Sequence, residues 1–172
     1  LDIAYGITKK SDEINEKGKN VTKSFTIHKP PIEKLWQDHL DGKDPGLCII
    51  PINQKNKLKW GCIDVDKYPV NHKEFIDILK RKNIKAISNE NKKFINILKI
   101  KNIKAIVFRS KSGGAHIFVF TKTFVPAIVM RAKLKMIASA IGHARAEIYP
   151  KQDYINIARG DTGSFLNLPY HN

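Results

Sequence analysis

Apolar and polar residues alternate in short blocks along the chain, and their spacing predicts an α+β fold. Residues 8–23 are polar and lysine-rich and read as a surface loop. Pro30 and Pro31 open a short helix, with Pro31 suited to its first turn. Ile32, Leu35, Trp36, His39 and Leu40 recur there at helical spacing, and Gly42 marks the end. His39 reads as a half-buried helix residue rather than a ligand. Residues 47–52 form a compact apolar run, a strand that Pro51 puts near an edge or bulge. Residues 53–57 suit a hairpin loop. Residues 58–66 return as a second strand, with Trp60, Cys62, Asp64 and Asp66 at alternate positions.

An internal repeat follows. Residues 75–87 read FIDILKRKNIKAI and residues 94–106 read FINILKIKNIKAI, with two differences. Two units are too few for a solenoid, so a local tandem duplication is expected. Each copy reads as a short amphipathic helix leading into a strand-like KAI. The second copy feeds directly into the next strand, and the first copy, or the join at 88–93, is expected to bulge out as an extra helix and loop. Residues 104–108 and 116–121 are strands around a Ser/Gly turn. Residues 126–141 carry the strongest helical pattern, with Pro126 in the first turn and Gly142 as cap. Ile128, Ala132, Met136 and Ala140 stack at i+4 steps, and Arg131, Lys133 and Lys135 lie on other faces, solvated or against DNA. Residues 146–149 form a short strand ending at Pro150, and 165–168 a last one.

Length and charge narrow the picture. A chain of 172 residues can bury one substantial core, and a single domain over 1–172 is expected. It begins at Leu1 rather than methionine and reads as a piece of a longer chain. No apolar run approaches the roughly 18 residues a membrane span needs, and no signal peptide is visible, which fits a cytosolic protein. Cys48 and Cys62 sit in apolar strand-like runs and read as reduced core residues, not a disulfide framework or zinc site. The net charge of +15 favours a polyanionic partner, although a composition rich in Lys, Asn and Ile also fits codon bias.

Three blocks carry candidate chemistry. In Ile63-Asp64-Val65-Asp66, strand alternation sends both aspartates to one face. Carboxylates about 6 Å apart repel by roughly 3 kcal/mol at an effective dielectric of about 20. Solvent absorbs this at an exposed edge, whereas a cleft calls for a divalent cation. In Arg109-Ser110-Lys111-Ser112-Gly113-Gly114-Ala115-His116, the glycines permit close backbone approach. Serine hydroxyls, N–H groups and Lys111 or Arg109 can cradle phosphate oxygens. His116 opens a strand apolar on both faces, which fixes it in place to bind a phosphate or shuttle a proton. In Ala146-Glu147-Ile148-Tyr149-Pro150-Lys151-Gln152, Glu147 needs a partner and Lys151 can serve an anion. Downstream, Asn167 in an apolar strand could orient a ligand. Taken singly, each block also fits a plainer role: surface aspartates, a simple hairpin with a satisfied histidine, an ordinary salt bridge.

Their order matters more. WGCIDVD, RSKSGGAHIFVF, EIYPKQ and FLNLPY, in that order between Leu35 and Asn172, resemble blocks of the archaeo-eukaryotic primase superfamily, and the details look nearest its phage and mobile-element primase-polymerases. The resemblance implies an RRM-like catalytic half, a bent mixed sheet flanked by helices, joined to a smaller N-terminal αβ portion. It implies a DNA primase or polymerase that adds dNTP or NTP to a 3′-hydroxyl with two Mg²⁺ or Mn²⁺ ions. Asp64, Asp66 and Glu147 would be the metal ligands. Ser112, Gly113, Gly114 and His116 would hold the triphosphate, with Arg109, Ser110, Lys151 and Asn167 as further nucleotide contacts. A DNA template and primer would be partners, with a helicase domain or protein elsewhere, in the cytoplasm of a microbial host and encoded there or by a virus or plasmid. The family pattern has Ser two positions before His. Here that position is Gly114, so Ser112 or Ser110 serves instead. The duplicated block also lengthens the gap between the first two motifs. A two-metal nuclease and a non-catalytic DNA-binding module are the alternatives.

Overall fold

The computed structural model describes residues 3–14, 16, 20–66, 104–110 and 114–170. The tandem repeat at 75–103 and the turn residues Lys111, Ser112 and Gly113 lie outside the described residues. The fold is α+β, as expected. It comprises two compact units, one of Leu1–Leu58, Pro126–Ile128 and Pro150–Asn172, the other of Lys59–Val125 and Val129–Tyr149. No described helix is long and apolar enough to cross a membrane.

The first unit is built on a four-stranded sheet in the order β2-β1-β3-β8. Its strands are β1 (Tyr5–Ile14), β2 (Asn20–Ile27), β3 (Gly46–Ile49) and β8 (Leu166–Asn167), and all three ladders are antiparallel. The lysine-rich stretch expected as a loop is therefore a hairpin, with Lys9 opposite Lys23 and Thr8 opposite Ser24. Its β-branched residues favour extended backbone, and an exposed ribbon needs no apolar alternation. Pro51 also misled: β3 is an inner strand that stops at Ile49, ahead of the proline. Residues 53–57 do turn, since Asn53 Oδ1 accepts from the N–H groups of Lys55 and Lys57. The strands on either side of that turn, however, belong to different sheets.

Helix α1 (Glu33–Leu40) ends at Gly42, whose φ of 74° lies in the left-handed region. Of its apolar positions Ile32 and Leu40 are exposed, and His39 is the buried anchor. The Leu47 N–H donates to His39 Nδ1 (3.0 Å), so Nε2 carries the proton and donates to the Pro169 carbonyl (2.8 Å). One imidazole thus ties α1 to β3 and to the chain beyond β8.

The second unit is built on the order β5-β6-β4-β7. Its strands are β4 (Lys57–Val65), β5 (Ile106–Arg109), β6 (Ala115–Pro126) and β7 (Glu147–Tyr149). The first and third strands of this set are neighbours at the centre, the order an RRM-like sheet requires. Helix α2 (Ala127–Ala140) lies between β6 and β7 in sequence and closes at Gly142, with φ 83°. Its i+4 stripe of Ile128 and Met136 proves to be the outward one, 59% and 66% exposed. The inward face is Met130, Leu134, Ile137, Ala138 and Ile141. The sheet dictates this. A Cβ on Gly61 of β4 would stand 2.7 Å from Leu134 Cδ1 and 2.9 Å from Met130 Cγ, so the helix fills the hollow the glycine leaves. Cys48 and Cys62 are buried and not disulfide-bonded, as expected.

Replacing His39 by Leu strands the Leu47 N–H and the Pro169 carbonyl without partners. Each loss costs about 1–3 kcal/mol, so urea denaturation of His39→Leu is expected to show a stability lower by about 2–6 kcal/mol.

Candidate active site

The candidate residues of the second unit gather at one end of its sheet. Strands β4 and β7 run antiparallel, with Cys62 opposite Tyr149, Ile63 opposite Ile148 and Asp64 opposite Glu147. Residues directly opposite share a face and bring their Cβ atoms within about 5 Å. Two acids remote in sequence therefore become neighbours. On the other side of β4, β6 presents His116, whose Nε2 lies 3.4 Å from Asp64 Oδ1. Both side chains are nearly enclosed, His116 8% and Asp64 12% exposed. Asp66 is the first residue past β4 and is exposed.

Placing like charges opposite each other in a ladder is destabilising, so the acids need compensation. The Tyr149 hydroxyl donates to Glu147 Oε2 at 3.1 Å. Asp64 Oδ1 is buried and accepts no hydrogen bond, and His116 Nδ1 is likewise buried without one. The 3.4 Å approach of His116 is longer than a full N–H···O bond. A buried carboxylate oxygen left bare beside a second carboxylate suits a hard cation. Among the described residues no group of three His, Cys, Asp or Glu side chains is placed to hold a metal ion, so the expected trio of Asp64, Asp66 and Glu147 is not assembled in this structure. The open pair fits the coordination habit of Mg²⁺, which is commonly held by one or two carboxylates with substrate phosphates and water supplying the rest.

The β5–β6 hairpin shapes the opposite wall. Its register places Phe108 against His116 and Arg109 against Ala115. It narrows at Ser110, whose N–H donates to the Gly114 carbonyl at 2.8 Å. A Cβ on Gly114 would collide with the Val65 carbonyl oxygen and sit 2.7 Å from Ser110 Oγ. Residue 114 has to be glycine because β6 starts hard against the end of β4. The buried Ser110 hydroxyl occupies the space a side chain at 114 would take. Of the sequence candidates, Arg109, Ser110 and Gly114 are thus joined to Asp64, His116 and Glu147 in one unit. Lys151 and Asn167 belong to the first unit. Asn167 Oδ1 there accepts from the Thr8 hydroxyl (3.0 Å) and the Cys48 thiol (2.8 Å), an internal role.

Two contributors escaped the sequence reading. Tyr149 stands two residues beyond Glu147 on a strand, and that period-2 spacing was the available signal. Cys62, two before Asp64, lies on the same face. Burial first, and then the Asp64 charge, push its thiol well above the usual range. The neutral thiol adds no negative charge beside the acids.

Two outcomes follow from these contacts. Native Cys62 is expected to resist iodoacetamide at pH 8 and to label only on unfolding, since the thiolate is the reactive form and is suppressed by burial; mass spectrometry of Cys62 reads this. Gly114→Ala is expected to lower the melting temperature and weaken nucleotide binding, at a cost of about 1–3 kcal/mol for overpacking, measured by thermal denaturation with and without nucleotide.

A family model described as the archaeo-eukaryotic primase domain of the TOTE conflict system matches residues 6–172. No curated protein matches the chain significantly.

Proposed function

The chain belongs to the archaeo-eukaryotic primase family, and from that premise we propose that residues 1–172 form one catalytic domain that extends a nucleic-acid strand on a DNA template. Primase-type nucleotidyl transfer is the coarse function the family carries. The finer reading is addition of dNTP or NTP to a 3′-hydroxyl, in the cytoplasm of a microbial host. The observation that carries it is the register of β4 and β7, which sets Asp64 beside Glu147 with His116 on the adjoining strand.

Chemically the step is a substitution at phosphorus. The 3′-hydroxyl loses its proton to solvent, its oxygen forms a bond to the α-phosphorus, the bond to the bridging oxygen breaks, and pyrophosphate departs. Asp64 and Glu147, with Asp66 at the strand end, would hold divalent Mg²⁺ or Mn²⁺. Such ions lower the pKa of the attacking hydroxyl and neutralise charge on the phosphates. His116 shares its Nε2 with Asp64 at more than full hydrogen-bond length, which leaves capacity for a phosphate oxygen. Ser110, Arg109 and the neighbouring Ser112 and Gly113 would line the triphosphate. The net charge of +15 suits template backbone, with the salt dependence that counterion release brings.

Asp64→Ala/Asp66→Ala and Glu147→Gln are each expected to lower nucleotide incorporation, with Mg²⁺ or Mn²⁺ on primed and unprimed template, by at least about a hundredfold, since metal-borne charge stabilisation is worth several kcal/mol. Synthesis by either variant at the wild-type rate rejects the assignment. A chain that cleaves DNA but binds no nucleoside triphosphate points to a nuclease instead.

A further inference from the structure

The face of the second sheet that carries Asp64 and His116 continues into a row of rings. Residues 116, 118 and 120 of β6 share that face by strand alternation. The His116 and Phe118 ring centroids lie 6.2 Å apart, and those of Phe118 and Phe120 lie 6.1 Å apart, nearly parallel at 17°. Trp60 of β4 flanks Phe118 at 5.6 Å, and Phe108 of β5 meets it edge-on at 5.5 Å. Phe118 is thereby buried, Trp60 and Phe108 are half-buried, and Phe120 is 53% exposed. Such an aromatic cluster needs its inner ring for packing, but packing gives no reason to leave the outer ring in water.

Cations follow the rings. Exposed Lys122 is the next residue of the row. Exposed Phe124 lies beyond, with Lys59 Nζ 5.0 Å from its ring centroid. Rings interleaved with ammonium groups match a strand whose bases present π-faces and whose backbone is anionic. Spacing selects the form of that strand. Rings along a β-strand recur at about 6.6 Å, twice the rise per residue, whereas bases stacked in a duplex are about 3.4 Å apart. The row therefore suits splayed, unpaired bases, and a duplex, whose bases are already stacked on one another, gains nothing from it.

We propose that this row, with Phe120 as its exposed ring, is a stacking platform for unpaired bases of the single-stranded template beside the acid pair. The proposal rests on the nucleic-acid reading above for the identity of its ligand, but it does not depend on catalysis. Phe120 stacks on a base, Lys122 attends the phosphates, and Trp60 reports occupancy through its fluorescence.

The test uses the 172-residue chain with Trp36→Phe, so that Trp60 is the one remaining tryptophan. Titration with oligo(dT) of 20 nucleotides is expected to quench Trp60. Phe120→Ala is expected to weaken oligo(dT) binding by about tenfold, in the range for loss of one base–aromatic stack. Phe120→Tyr, which keeps a π-face, should hold the wild-type affinity, while Phe120→Leu, which keeps apolar bulk without one, should not. Binding of a blunt duplex should be unchanged in all three. Wild-type oligo(dT) affinity in Phe120→Ala or Phe120→Leu overturns the proposal, as does an equal loss for duplex. Far-UV circular dichroism of each variant checks that the fold is kept. If the wild-type chain incorporates no nucleotide yet shows the Phe120-dependent binding, the catalytic reading fails and the platform stands. If it incorporates nucleotide while binding is independent of Phe120, the platform fails and the catalytic reading stands.

Discussion

One ladder contact governs the second unit: the antiparallel pairing of β4 with β7, which sets Asp64 opposite Glu147. A protein selected for stability alone would avoid opposing two carboxylates in a sheet. Here the arrangement is held by the apolar residues of the same ladder. Ile63 and Tyr149 are buried beside it, and α2 packs against Gly61 on the far face. Apolar burial, at about 25 cal/mol per Å², offsets a local repulsion of a few kcal/mol. A cation bound between the two carboxylates would relieve that repulsion.

The same sheet divides its labour by face. Gly61, Ile63 and Ile117 belong to the packed side, and α2 covers Gly61. Trp60, Asp64, His116 and the aromatic row belong to the other. Strand alternation is what makes this possible, because neighbouring residues can serve the core and the chemistry without compromise. The unusual member is Cys62, which faces the chemical side yet is fully enclosed. Its raised thiol pKa keeps a third negative charge away from the acids.

Much of this was legible in the sequence where a period was involved. The alternation of Trp60, Cys62, Asp64 and Asp66 located β4 to within a residue. Pro126 and Gly142 bracketed α2. The face of α2 was not legible, because both of its stripes are apolar and only the hollow at Gly61 decides between them. The β1–β2 hairpin was missed because an exposed ribbon of Lys, Thr and Ser leaves no core-facing pattern to detect. The meeting of Asp64 with Glu147 came from order and resemblance, since no local signal fixes which residues of two distant strands stand opposite. The resemblance also pooled Lys151 and Asn167 with the site residues. Asn167 instead commits its carbonyl oxygen to Thr8 and Cys48.

The crowding at Gly114 reaches further than the turn it belongs to. The atoms that forbid a side chain there are the Val65 carbonyl and the Ser110 hydroxyl, and Val65 immediately precedes Asp66. A relative with serine at the equivalent of 114 would have to shift the tip of β4 outward and give up the hydroxyl at 110. Its second aspartate would travel with that tip. Which residue bears the hydroxyl and how far apart the two aspartates stand are therefore coupled through this packing, and exchanging one without the other should leave a hybrid that fits neither arrangement.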